Sequence, residues 1–273
     1  MDLILNVGAA PLRHRKGRHC ILLLVRREGH HTSDRRHPMA KRALVSWTGG
    51  KDCHLALLEC RRSEYDIVAL VTFAPEATKP FLSHPIPLMK LQAEALGIPH
   101  QVQLLKTSTD GITYEEAYRQ GMASLAKQHN ATHLITGDIL DVCSGFMPRA
   151  AAGSGLEIVR PLWQREREVM VADIHKAGME VTISCANIEL CGEELARQLV
   201  GSQLEGEALR LLRAHGSVDL SGEGGEYHTM VTFVPGIYNH PIKLGEFSCE
   251  GEGLPHQKVT DCRKFLHLAW DHE

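Results

Sequence analysis

The sequence predicts an α/β fold in which a parallel sheet is covered by helices on both faces and is followed by a second, smaller α+β domain. Three observations carry this. From Arg42 onward, apolar runs alternate with helical patterns. The runs are apolar at successive positions, as strands buried on both faces must be. The first run ends in a glycine pair and passes directly into a helical pattern, which is the strand-to-helix turn of such sheets.

In order, strands are expected at 42–46, 67–73, 100–105 and 133–137. Helices fall between them near 53–63, 86–97 and 113–129, the second stopped by Gly97 and Pro99. After an Ala/Gly-rich loop at 150–155, Ile158 to Trp163 gives an apolar run with a proline turn, and Trp163 is expected in the core. A helix at 165–177, a strand at 180–186, a helical region at 193–215 and a glycine-rich turn leading into a strand at 221–233 complete the pattern. The division that follows is a first domain at 39–155, a second at 156–240, and a C-terminal tail at 241–273 with widely spaced His and Cys but no assigned chemistry.

Residues 1–38 hold eight Lys/Arg against three Asp/Glu, so a chain total of -3 conceals a body of 235 residues at -8. The segment reads as a disordered basic extension. Its apolar run at 21–25 is too short for a secretory signal; Arg richness also fits an organelle transit peptide, and Met39 fits the start of the folded protein. The acidic body argues against a general nucleic-acid surface. With 43% hydrophobic residues and no run long enough for a membrane span, the composition is that of an ordinary globular protein. Eight cysteines with no C-x-x-C pair fit reduced thiols and a cytoplasmic location.

The stretch Leu44-Val45-Ser46-Trp47-Thr48-Gly49-Gly50-Lys51-Asp52-Cys53 is the most informative. Two glycines leave no Cβ to hold off a ligand, and the amides beyond them open a helix, whose N-terminus attracts phosphate. Lys51 adds a mobile ammonium. A Walker loop would need glycine where Val45 stands and Ser or Thr where Asp52 stands. The fourth strand ends in Gly137-Asp138-Ile139 at the same sheet edge, so Asp138 holds magnesium, orients a substrate or caps a helix. Arg149 meets phosphate or lies on the surface. In Gly222-Glu223-Gly224-Gly225-Glu226-Tyr227-His228-Thr229, the two carboxylates suit a cation or an amine and His228 suits proton transfer; a hairpin turn with solvated acids is the alternative.

The loop is similar to the Ser-Gly-Gly-x-Asp-Ser pyrophosphate loop of the ATP pyrophosphatase superfamily, with Thr48 and Cys53 in the serine places. Together with Gly137-Asp138-Ile139, Arg160-Pro161-Leu162-Trp163 and Gly222 to Thr229, it occurs in the order seen in the diphthine-ammonia ligase family, which the chain resembles from about Arg42 to Tyr238. The resemblance implies a Rossmann-like, HUP-type adenine-nucleotide domain and a smaller substrate domain. It implies ATP and Mg2+ as cofactors, free ammonia as nitrogen source, and adenylation then amidation of a carboxylate, diphthine on elongation factor 2, with release of AMP and pyrophosphate. The nucleotide site would comprise Ser46, Thr48, Gly49, Gly50, Lys51, Asp52, Cys53, Gly137 and Asp138, with the metal on Asp52. Substrate would meet Glu223, Glu226, Tyr227, His228 and Thr229, and catalysis would fall to Lys51, Asp52, Glu226 and His228. A homodimer is left open. So are another carboxylate or a tRNA as substrate, and a nucleotide-binding protein without catalysis.

Overall fold

The computed structural model describes residues 40–75, 85–106, 111–141, 144–244, 247–255 and 264–270. The expectations for 1–38 and Met39 lie outside these residues. The first sheet is parallel, five-stranded and Rossmann-like, built from β1 (Lys41–Ser46), β2 (Tyr65–Pro75), β3 (His100–Leu105), β4 (His133–Ile135) and β5 (Glu157–Val159) in the order β3-β2-β1-β4-β5. β1 is central, and its Ala43, Leu44 and Val45 are all fully buried, as its unbroken apolar run requires. Residues 157–159, expected within the second domain at 156–240, instead form the fifth strand of this sheet.

Helices α1 (Lys51–Arg61), α2 (Ile86–Leu96) and α3 (Tyr114–His129) connect the strands. Local chemistry fixes their ends. Gly97 takes φ 65° to close α2, and Thr113 caps α3 by accepting the Glu116 N–H at 3.2 Å. Alternation along β1 divides the packing, with Ala43 and Val45 buried in one core with α1 and α2, and Leu44 in a second core with α3 and the short α4 (Phe146–Ala151). The chain runs outward from β1 to β3 and then returns to β4 on the other side. Such a reversal leaves a crevice at the carboxyl ends of β1 and β4, where α/β sheets bind ligands.

The second sheet is antiparallel, formed by β6 (Glu180–Asn187), β7 (Tyr227–Phe233), β8 (Phe247–Pro255) and β9 (Lys264–Trp270) in the order β7-β6-β9-β8. Helices α5 (Arg167–Lys176), the one-turn α6 (Ile188–Cys191), α7 (Glu193–Leu199) and α8 (Gly206–His215) accompany it. The helical region expected at 193–215 comprises α7 and α8, parted at Gly201, φ 85°. The break has a use, because the Gly201 N–H donates to Ile183 O and the Leu204 N–H to Val181 O, satisfying the part of β6 that β9 does not reach.

The segment expected as a tail supplies half of this sheet. β9 pairs with β6, and Phe265 and Leu268 are buried. Nor do the two sheets keep separate cores, since one apolar cluster runs from Val45 and Leu57 through Met170 to Ile183, Leu209 and Val231. Among the described residues no helix is long and apolar enough to cross a membrane.

Truncation after His240 therefore removes β8 and β9 and bares Phe265 and Leu268 contacts that are worth about 1.5–3 kcal/mol each. The expected loss is at least about 3 kcal/mol, read as a lower urea midpoint; an unchanged midpoint would make the two strands dispensable.

Candidate active site

The loop between β1 and α1 lies at the crevice, and its shape is imposed from three sides. Gly49 has φ 78°, open to glycine, and a Cβ there would stand 2.6 Å from Gln92 Oε1. The Gly49 carbonyl accepts from the Val231 N–H at 3.1 Å and from Gln92 Nε2 at 2.8 Å. Fully buried Gln92 also donates to Val231 O at 2.9 Å and accepts from Trp47 Nε1 at 3.1 Å, so one amide ties α2, the loop and β7 together. Gly137 is required at the end of β4, because a Cβ would lie 2.8 Å from the Cys53 nitrogen at the start of α1.

Lys51 is not the mobile cation expected from the sequence. Its ammonium is buried and donates to both Asp52 oxygens at 2.9 and 2.8 Å and to Ser221 O at 2.6 Å. Its N–H, the first of α1, donates to Thr229 Oγ1 at 3.1 Å. Cys53 is buried, its thiol 3.1 Å from Gly50 O, and burial pushes its pKa up to about 11, so it is a thiol packed into the helix. Thr48 is exposed and Ser46 half-buried. Asp138 precedes no helix directly; it accepts from Thr136 Oγ1 at 2.8 Å. Burial raises its pKa, opposed by that hydrogen bond and by Arg160, with Asp141 and Asp52 adding to the rise.

The glycine-rich turn is bound, not loose. The Gly222 N–H donates to Asp219 O and the Gly225 N–H to Gly222 O, at 2.9 and 3.1 Å. The Tyr227 hydroxyl donates to Leu220 O at 2.6 Å, and the Arg167 guanidinium holds Asp219. Tyr227 and Thr229 thus anchor the turn to itself and to the loop. Two carboxylates remain for chemistry. Buried Glu226 accepts the Asp219 N–H on Oε1 at 3.0 Å, while its Oε2 has no partner. Glu223 is half-buried, and burial, then Asp52, push its pKa up to about 7, against the pull of Lys51 and Arg167.

The structure does not bring His228 to this group. Side chains alternate along β7, so with Tyr227 and Thr229 on the loop side His228 takes the other face, its ring 6.2 Å from that of Phe265. Arg149 is engaged by Glu115 and by Ser144 O. Trp163 is half-buried, not core, with the Arg160 guanidinium 3.9 Å from its ring centroid. Two residues that the sequence reading passed over complete the site, Gln92 and His54. A glutamine on the apolar stripe Leu88, Met89, Ala93, Leu96 of α2 was the available signal for the first.

Glu223 gives the site a pH signature. Its folded pKa of about 7 lies above the ordinary 4.5, so its contribution to stability is full below pH 4.5 and lost as pH rises through 7. Glu223→Gln should match the parent near pH 4 and exceed it in stability at pH 8 in metal-free buffer. Urea denaturation across that range checks this, and a constant difference would remove the shift.

Residues 41–144 match the family model of the diphthamide synthase N-terminal domain. A diphthine–ammonia ligase of Schizosaccharomyces pombe (strain 972) is 25% identical over 206 residues, 69% of this chain and 34% of that protein. The chain therefore spans about a third of the length of the curated relative it matches. Among solved structures, a U34-tRNA thiolase from Methanococcus maripaludis with its [4Fe-4S] cluster aligns at 13% identity and TM-score 0.37, over 50% of this chain and 57% of that one. A universal stress protein from Archaeoglobus fulgidus DSM 4304 aligns at 14% identity and TM-score 0.29, over 45% and 44%. The similarity to the diphthamide synthase N-terminal domain thus covers β1 to β4 and the helices between them.

Proposed function

We propose that the protein is an ATP-dependent amide ligase that adenylates a carboxylate, that of diphthine on elongation factor 2, and amidates it with ammonia, releasing AMP and pyrophosphate in the cytoplasm. The observation that carries the reading is geometric. Asp52 stands against the end of β4, where a Cβ on Gly137 would lie 3.0 Å from the Asp52 Cβ, and it shares the Lys51 ammonium with Ser221 O of the glycine-rich turn, so the loop, the Asp138 end of β4 and the Glu223 turn meet at the crevice between β1 and β4. The family match and the relative's name support the substrate class.

A carboxylate resists displacement by ammonia because oxide is a hopeless leaving group; conversion to the mixed anhydride with AMP, with loss of pyrophosphate, supplies a good one. The α1 N-terminus attracts the pyrophosphate charge. Lys51, held by Asp52 and Ser221, fixes the Asp52 carboxylate at that helix start. Asp52 and Asp138 suit Mg2+, which takes one or two carboxylates plus phosphate oxygens and needs no protein cage; among the described residues no group of three His, Cys, Asp or Glu forms such a cage. When bound, the metal neutralises phosphate charge. Glu223, with a pKa near 7, is matched to take the proton that ammonium must lose before it attacks. Glu226 Oε2, buried and unpaired, is the acceptor for the amine substrate. His228 has no part in this scheme.

Product analysis tests the reading: AMP and pyrophosphate should form one for one with amide, and ADP with phosphate in that proportion would overturn it. Asp52→Asn should slow AMP release by about 10²- to 10³-fold. Glu226→Gln keeps the Oε1 acceptor for Asp219 and should spare ATP affinity by calorimetry while abolishing amide by mass spectrometry; loss of ATP binding would place Glu226 in the nucleotide site instead.

A further inference from the structure

The geometry points to His54 and Tyr238 as a positioning pair that sets the direction of the Gly50–Lys51 peptide, and with it the course of the glycine loop into α1. His54 is fully buried. Its Nδ1 lies 2.8 Å from Gly50 O and its Nε2 2.7 Å from the Tyr238 hydroxyl. A carbonyl can only accept, so Nδ1 carries the proton. Nε2 is then an acceptor and Tyr238 donates to it. The two hydrogen bonds of the buried ring, to a carbonyl and to a hydroxyl, are those of a single neutral tautomer.

The peptide is held from both ends. Gly50 O also receives the Cys53 thiol at 3.1 Å and the His54 N–H at 3.4 Å, while the Lys51 N–H donates to Thr229 Oγ1 at 3.1 Å. Because a peptide is planar, fixing its carbonyl fixes its N–H on the opposite side. Tyr238 is itself placed by the turn after β7 and by α2: its N–H donates to Val234 O at 3.0 Å, and the next residue's N–H to Ala95 O at 2.7 Å. Its ring stands edge-on to Phe233 with centroids 6.3 Å apart. Losing the Tyr238 hydroxyl frees the proton to move to Nε2, and a lone pair on Nδ1 would then face the Gly50 carbonyl and repel it. His54 acts through the loop and touches no reacting atom. The pair's part in turnover rests on the ligase reading; its part in loop geometry does not.

The test uses the full chain carrying Tyr238→Phe, His54→Leu and His54→Asn. Nitrogen-15 spectra should show a single Nδ1–H tautomer in the parent, a mixture in Tyr238→Phe, and a displaced Lys51 amide resonance in that variant. AMP release should fall about 10²-fold in kcat for Tyr238→Phe and His54→Leu, the scale of a small misplacement, with KM for ATP within about threefold. His54→Asn, whose side-chain amide can replace Nδ1–H, should recover most of the rate. An Nε2–H tautomer in the parent, or unchanged kcat in folded Tyr238→Phe, overturns the pairing. If His54→Leu fails to fold, Tyr238→Phe decides. If the parent releases no AMP, the ligase reading alone fails, and an unmoved Lys51 amide in Tyr238→Phe then overturns the positioning role.

Discussion

The docking of β7 on the glycine loop is the contact on which the rest depends. Two backbone donors make it, Val231 N–H to Gly49 O and Lys51 N–H to Thr229 Oγ1, each 3.1 Å, and Gln92 spans the same seam. A loop with two adjacent glycines has many accessible conformations and loses more entropy on ordering than any other sequence. Here that ordering is completed by a strand 180 residues further on, and so the two sheets cannot be independent bodies joined by a solvent-filled cleft. The shared apolar cluster between them is the packing counterpart of the same fact.

The seam also creates the electrostatics. Covering Lys51 with the 219–227 turn takes its ammonium out of water, and the Asp52 carboxylate, the Ser221 carbonyl and the Tyr227 ring replace that hydration. Asp138 and Glu223 are left with raised pKa values, because burial and Asp52 both disfavour their ionised forms. A cation entering the crevice relieves both effects at once. Binding of a positive ligand and ionisation of these acids are therefore linked, each favouring the other.

The parallel half of the fold was legible because every signal agreed there. Strands apolar on both faces, the Gly97 stop of α2 and the cap at Thr113 all point one way. β8 was illegible for the opposite reason, as its Phe247–Pro255 sequence holds two glycines and two glutamates and has little strand preference of its own. It pairs only because β9 presents an edge. The break at Gly201 could have been read from the glycine inside the 193–215 pattern. At the site, spacing located the loop and Asp138 but could not show which way side chains point. Period two along β7 separates His228 from Tyr227 and Thr229, and burial turns Lys51 from a free cation into a brace.

The two departures from the serine pattern of the loop become intelligible in this setting. Cys53 is buried, and its thiol is turned back to Gly50 O, where a small apolar group with a weak donor suffices. Thr48, exposed, keeps a hydroxyl 3.9 Å from that sulfur. One hydroxyl donor is thereby withdrawn from the loop, and Thr229 occupies the first helix amide. An anion at α1 would rest on main-chain donors, whose directions follow from the peptide planes. In such a loop, the side chains that orient those peptides from beyond the glycine pair do what hydroxyls on the loop itself would otherwise do. Gln92 on Gly49 O, His54 on Gly50 O and Thr229 on the Lys51 N–H occupy those places.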